Sequence, residues 1–348
     1  MLAAEAVGLV RAGSEAGVQL VPVAAELISP ETGVGPRLCG FGQGDAVRLS
    51  ILYRTHPGEN RKRRPPWYSR RLALLSLRQA LERADVEQAF TFVADGGIPE
   101  DLLPLVRPTD GVARISGGSA ASSMRRAVDV ALVAAEHDPA ATFYWLAEDD
   151  YLYRPNAVEA LLTAIEHFTE VTYFTLYKPD DSAWFDTHKS QPAAPVPPLT
   201  EAQPARDDVR WQRVSHTTST LGLWRDTLLE DAQLLKLGTT PGSPFDAATW
   251  HALQGIPPYP WRYLVHDLDG YWRPRGIAKV VGKPPMRAVV NLAARRRGAG
   301  DRRVLIAPTS DLAMHLETDV IPAGTTWEEC ARECLALARG GDQATGSG

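Results

Sequence analysis

Cysteine is scarce in these 348 residues: Cys39, Cys330 and Cys334 are the only three. The count is odd and no CxxC pair occurs, so a reducing cytoplasm is the expected setting. Long apolar runs are absent as well, since none approaches the roughly 20 residues of a membrane span. A basic excess is also missing. Lys and Arg number 37 against 42 Asp and Glu, giving a net charge of −5 and a pI of about 5.9. A nucleic-acid binder needs a dominant basic surface, so nucleic acid is not an expected partner. The N-terminus carries Glu5 and Glu15 without a basic start and apolar core, and no signal peptide is expected. No internal repeat is present.

What remains is an ordinary globular composition, 44% apolar and 23% charged, with length for one large domain or two modest ones. Residues 1–45 are rich in Ala, Gly and Val and weakly periodic. Gly40, Gly42 and Gly44 precede a strand instead of following one, which does not suit a dinucleotide loop. From Val47 the pattern sharpens. VRLSILY reads as a strand, and RLALLSLRQALERA as a helix with Leu74, Leu77 and Leu81 on one face. EQAFTFVADGG and GVARISGGS are two further strands, ended by Asp95-Gly96-Gly97 and by Gly117-Gly118. A helix is predicted over 121–136 and a second after Asn156, with Glu159 three residues on as in a capping box. VTYFTLY is a further strand.

Alternating strands and helices of this length predict an α/β fold: a mainly parallel central sheet with helices on both faces. The C-terminal half is less regular. Residues 188–206 are rich in Pro and Ala and read as a mobile loop, Trp250 to Trp272 is dense in Pro, Trp and Tyr, and Arg295 to Arg303 forms a basic loop. A last helix starts near Thr326, and its Cys330 and Cys334, with no matching ligand pair nearby, read as packing residues.

The stretch ATFYWLAEDDYLYRPN holds the strongest functional signal. Phe143 to Ala147 form an unbroken apolar run, as a parallel strand buried on both faces requires. The run ends in Glu148, Asp149 and Asp150. Ligands of open α/β sheets bind outside the carboxyl ends of the strands. Three adjacent carboxylates repel one another, and a hard dication such as Mg²⁺ or Mn²⁺ would neutralise them while bridging to phosphate. The acids can also begin a solvated turn, although Tyr151, Tyr153 and Pro155 follow them.

EDDYLYRPNAVEAL resembles the metal-binding acidic motif of GT-A fold glycosyltransferases, family 2-like, and the resemblance covers roughly Val47 to Tyr177. It implies a Rossmann-like nucleotide-sugar-binding half over 46–180 and an acceptor-side half with flexible loops over 181–338. These follow an N-terminal extension (1–45) and precede a disordered tail (339–348). By the same resemblance Asp150 ligates the metal, while Glu148 and Asp149 face the ribose or the sugar. Arg54 and Thr55 border the nucleobase, Asp95 meets the base, and Gly117 and Gly118 bring backbone N–H groups to a phosphate. In an inverting enzyme a carboxylate at a helix start takes the acceptor's proton; Asp246 is the candidate, and it also suits a helix cap. A late histidine often joins the metal. His315 is preferred over His266 and His216, with Glu317 placed to orient it.

The implied activity is transfer of a sugar from a UDP- or GDP-type donor to a carbohydrate or small-molecule acceptor, with Mn²⁺ or Mg²⁺ as cofactor. Arg295 to Arg297 and Arg302 are candidates to clamp the diphosphate. Trp211, Trp224, Trp250, Trp261 and Trp272 can stack on sugars or fill the core. Two rivals are a sugar-phosphate nucleotidyltransferase and a non-catalytic GT-A-like binding domain. The first needs a Gly-rich loop after the first strand, where RTHPGENRKRRPP offers a single glycine.

Overall fold

The computed structural model describes residues 19–21, 47–58, 62–178, 198–199, 203–204, 209–218, 220–239, 245–259, 283–318, 321 and 326–345. A short strand β1 (Gln19–Val21) leads to four parallel strands: β2 (Arg48–Thr55), β3 (Gln88–Asp95), β4 (Gly111–Ile115) and β5 (Thr142–Glu148). Their spatial order is β4-β3-β2-β5, with β1 antiparallel on the β4 edge. The chain steps outward from β2 to β3 to β4, then returns to the other side of β2. The β2–β5 junction is therefore the point where strand order reverses, and such a junction leaves a crevice at the carboxyl ends of the strands.

The alternation along β5 explains its unbroken apolar run. Phe143, Trp145 and Ala147 enter one core, and Tyr144 and Leu146 enter another on the opposite face. The first core holds Leu74, Leu77 and Leu81 of helix α1 (Arg70–Ala84). The second holds Val128 and Ala131 of α2 (Ala120–Ala135). A side chain of this size stabilises by roughly 1.5–3 kcal/mol when fully buried, so the two-sided burial fixes the strand at the centre. Ser69 caps α1 by accepting from Leu72 N at 3.1 Å, and Asp85 in the left-handed region (φ 46°) ends it.

After β5 come β6 (Tyr151–Tyr153) and α3 (Ala157–His167), which packs into the first core. Asn156 stands at the N-cap of α3 but makes no side-chain cap bond, and Glu159 pairs with Arg83. The capping box read from the sequence does not form. VTYFTLY contributes only a two-residue strand, β7 (Tyr173–Phe174). β8 (Trp211–Arg213), β9 (Leu221–Trp224) and β10 (Leu305–Pro308) complete a nine-stranded sheet in the order β1-β4-β3-β2-β5-β9-β7-β10-β8. β9 runs antiparallel beside β5, and Gly222 keeps them close: a Cβ there would lie 2.5 Å from the Phe143 ring.

Helices α4 (Arg225–Gly238), α5 (Phe245–Leu253) and α6 (Lys283–Arg296) extend the α2 face. On the other face, β11 (Ala313–His315) and β6 form a separate two-stranded ladder beneath α1 and α7 (Trp327–Thr345). Cys330 and Cys334 of α7 are buried and pack with Leu152 and Leu72, as their spacing suggested. α7 takes in most of the segment expected as a disordered tail. Trp211, Trp224 and Trp250 are core residues. Trp261, Trp272, His266 and Cys39 lie outside the described residues. Among the described residues, no helix is long and apolar enough to cross a membrane. The α/β class, the mainly parallel sheet and the helices on both faces follow the sequence reading.

Candidate functional site

The strand ends at the β2–β5 junction border a cavity of about 470 Å³. Arg54 and Thr55 reach it from β2, Asp95 from β3, Glu148 from β5, and Asp149 and Asp150 from the turn that follows. Gly118, Ser119 and Ala120 supply the opposite rim at the start of α2. Every residue expected from the first strand, the second strand and the acidic motif is thus gathered around one space. Register enforces part of this, because Arg54 lies opposite Glu148 in the parallel β2–β5 ladder.

The acids do not face bulk water. Asp149 and Asp150 are 7% and 6% exposed. Each of the three has its own arginine. Arg54 pairs with Glu148, Arg70 Nε stands 3.4 Å from Asp149 Oδ2, and Arg64 Nη2 donates to Asp150 Oδ2 at 2.7 Å. The folded chain supplies three guanidinium groups to neutralise the acids, where the sequence alone suggests a metal. The sequence alone does not show these three pairings, since Arg64 and Arg70 lie in the basic stretch RKRRPPWYSRR that leads from the first strand into the first helix.

Asp149 accepts a hydrogen bond from Thr55 Oγ1 at 2.6 Å. Burial raises its carboxyl above the usual range, Thr55 works against that rise, and the neighbouring Asp150 charge adds to it. Asp150 behaves oppositely. Burial alone would raise it, but the hydrogen bonds and charges of His315 and then Arg64 hold it well below the usual carboxylate range. The adjacent acids are thus pushed apart by their surroundings. Arg54, mostly removed from water, has its pKa lowered by the same loss of solvent.

His315 reaches the site through the β6–β11 ladder. It lies opposite Tyr151 in register and stacks on that ring at 5.0 Å. Leu316 N donates to Asp150 O at 2.8 Å, which pins the end of β11 to the acidic turn. His315 Nε2 comes to rest 3.0 Å from Asp150 Oδ2. Glu317 Oε2 is 3.7 Å from His315 Nδ1, longer than a hydrogen bond, and is paired instead with Lys62 at 3.1 Å. His216 is buried away from this corner, with Nδ1 3.0 Å from Ser215 Oγ.

Among the described residues no group of three His, Cys, Asp or Glu side chains is arranged to hold a metal ion. A smaller donor set does fit one. Asp150 Oδ1 is buried without a hydrogen-bond partner among the described residues. His315 Nε2 stands beside the same carboxylate, but its 3.0 Å contact with Oδ2 is a hydrogen bond, and Arg64 at 2.7 Å and Lys62 at 3.3 Å from His315 Nε2 share the corner, so an ion there takes the place of these contacts. Mg²⁺ and Mn²⁺ readily take their remaining ligands from phosphate and water.

The anion side of the cavity is built by the β4–α2 turn. Gly117 N donates to Asp95 Oδ1 at 2.7 Å, and Ser119 caps α2 by accepting from Ser122 N at 3.2 Å. Gly118 holds φ 71°, a conformation that suits glycine. The Gly117 N–H is thus taken by Asp95 and is not offered to a phosphate as expected, while Ser119, Ala120 and Ser123 at the start of α2 border the space, where the helix dipole favours an anion.

Two further expectations concern the C-terminal half. Asp246 stands in the first turn of α5, but its side chain is outside the described residues. The basic run after α6 does not line the cavity. There Arg297 and Arg303 pair with Asp231, which also accepts from Tyr173 OH at 2.8 Å. Arg302 packs beside Gly255. This basic cluster therefore ties α4 to β7 and β10 and is no clamp on the cavity.

No family model matches this chain, and neither does any curated protein. Among solved structures, a glycosyltransferase involved in the glycosylation of the major capsid of PBCV-1 is similar. It is 9% identical over 83% of this chain and 98% of that chain, with a TM-score of 0.30. At that score the likeness carries no functional weight.

Proposed function

We propose that this chain is a metal-dependent, GT-A-type glycosyltransferase. It moves a sugar from a UDP- or GDP-type donor to a hydroxyl of a carbohydrate or small-molecule acceptor, with inversion at the anomeric carbon. The observation that carries the reading is that Asp150 lines the cavity at the strand-order reversal and has His315 Nε2 3.0 Å from its Oδ2, just behind it. The α2 N-terminus lines the same cavity.

In this reading Arg54, Thr55 and Asp95 border the nucleoside, and the first turn of α2 receives the diphosphate. Asp150 and His315 hold Mg²⁺ or Mn²⁺, which supplies positive charge to the departing diphosphate when bound. The acceptor oxygen forms a bond to the anomeric carbon as the bond from that carbon to the diphosphate oxygen breaks. A carboxylate takes the acceptor's proton, and Asp246 is assigned that role. Asp149 is poorly suited to it, because its carboxylate is committed to Thr55 and faces Arg70.

The test is release of UDP or GDP from a panel of nucleotide sugars, with Mn²⁺, Mg²⁺ or chelator. Metal-dependent release, lost in Asp150→Ala, supports transfer. Nucleotide-sugar binding without release under any condition would assign the chain to non-catalytic binding. Pyrophosphate release from a nucleoside triphosphate would assign it to nucleotidyl transfer.

A further inference from the structure

Arg64 is the one arginine of the three that occupies the same carboxylate oxygen as His315. Its Nη2 donates to Asp150 Oδ2 at 2.7 Å, and its Nη1 donates to Leu316 O at 2.6 Å. The guanidinium thus bridges Asp150, just before β6, and Leu316, just after β11. Both ends of the ion pair are largely removed from solvent, at 10% and 9% side-chain exposure. Its Nε has no acceptor among the described residues, and the face of Tyr68 lies 4.8 Å away. A dication at Asp150 and His315 would meet this fixed positive charge at close range, where Coulomb repulsion is strong and poorly screened. A diphosphate changes the balance, because a planar guanidinium binds phosphate oxygens as readily as carboxylate.

We propose that Arg64 is a resident counter-cation at the Asp150–His315 corner. A divalent ion must displace it and the donor's diphosphate recruits it, so that ion and nucleotide bind cooperatively. The inference rests on the metal-dependent reading of the site. It gives the protein a charge-balanced resting state before donor arrives, and it explains how a buried acid that already has a cation can still take up another.

The test is calorimetric titration of Mn²⁺ into wild type, Arg64→Gln and Arg64→Lys, each alone and with excess UDP or GDP. In wild type, diphosphate should tighten Mn²⁺ binding by at least about fivefold. Arg64→Gln should bind Mn²⁺ alone at least about fivefold more tightly than wild type and lose most of the gain from diphosphate. Arg64→Lys, which keeps the charge but not the forked geometry, should fall between them. Unchanged or weaker Mn²⁺ binding by Arg64→Gln, with wild type binding the ion, overturns the proposal. If Arg64→Gln does not fold, an Arg64→Lys protein identical to wild type in both titrations overturns it. Failure of all three proteins to bind Mn²⁺ with or without diphosphate overturns the metal-dependent reading itself, and this inference with it.

Discussion

His315 Nε2 rests 3.0 Å from Asp150 Oδ2, although 165 residues separate them in the chain. The contact exists because two three-residue strands, β6 and β11, place Tyr151 opposite His315 and tie Leu316 to the backbone of Asp150. Local pairing on one side of the main sheet thus completes a site whose other residues come from the sheet itself.

Removing Asp150 should uncover the charge of Arg64. Asp150→Ala leaves a buried guanidinium without its carboxylate, and a loss of about 3–5 kcal/mol is expected. Asp150→Asn keeps an acceptor for Arg64 and should lose less. Urea unfolding measures both, and thermal unfolding with UDP or GDP should show that neither variant retains the Mn²⁺-dependent part of the stabilisation.

Asp149 and Asp150 should bend the pH dependence of stability in opposite directions. The Asp149 carboxyl is raised in the folded protein, so its favourable contribution is complete below about pH 4 and fades as pH rises through the folded value. Asp149→Asn should therefore gain stability relative to wild type on going from pH 4 to pH 8. The Asp150 carboxyl is lowered, so its contribution is present above about pH 4 and is lost only as pH falls through the lower folded value. Asp150→Asn should approach wild type only under those acidic conditions. Unfolding free energies across the range check both signs.

Gly117 should tolerate no side chain. A Cβ there would lie 2.6 Å from Asp95 Oδ2 and 2.6 Å from Ser123 N, so Gly117→Ala must push the β4–α2 turn away from Asp95. A cost of about 1–3 kcal/mol is expected. Nucleotide binding should weaken together with stability, whereas a packing change remote from the cavity would move stability alone.

The two thiols of α7 should be inert in the folded protein. Burial raises both, and it pushes Cys334 up to about 12, with Cys330 adding to the shift. At pH 8 the thiolate fraction at Cys334 is on the order of 1 in 10⁴. Site-resolved mass spectrometry after alkylation should find neither residue modified until denaturant is added.

Much of this was legible in the chain because central parallel strands leave a two-sided apolar run. Phe143 to Ala147 announced their burial, and the acids after them announced a strand end. Leu74, Leu77 and Leu81 marked α1 by helical spacing, and the glycines at 96–97 and 117–118 marked strand ends. The β6–β11 ladder was not legible, since three residues are too few for periodicity and their partner is remote. Only the late position of His315, after the basic loop, is visible in the sequence, and the ladder that places it is not. The pairing of Arg64 and Arg70 with the acids was not legible, because a basic run looks the same whether it meets solvent, phosphate or buried carboxylates. Asn156 and Glu159 satisfied a local capping pattern, but Arg83 of α1 took Glu159 instead.

The central claim is that the Asp150–His315 corner holds a divalent ion against a nucleoside diphosphate. Anomalous diffraction from crystals grown with Mn²⁺ and UDP or GDP tests it directly. The expected result is one Mn²⁺ peak about 2.1–2.2 Å from an Asp150 carboxylate oxygen and from His315 Nε2, with the diphosphate between it and the first turn of α2. A diphosphate bound in the cavity with no ion at that corner, or an ordered Mn²⁺ elsewhere, would contradict it.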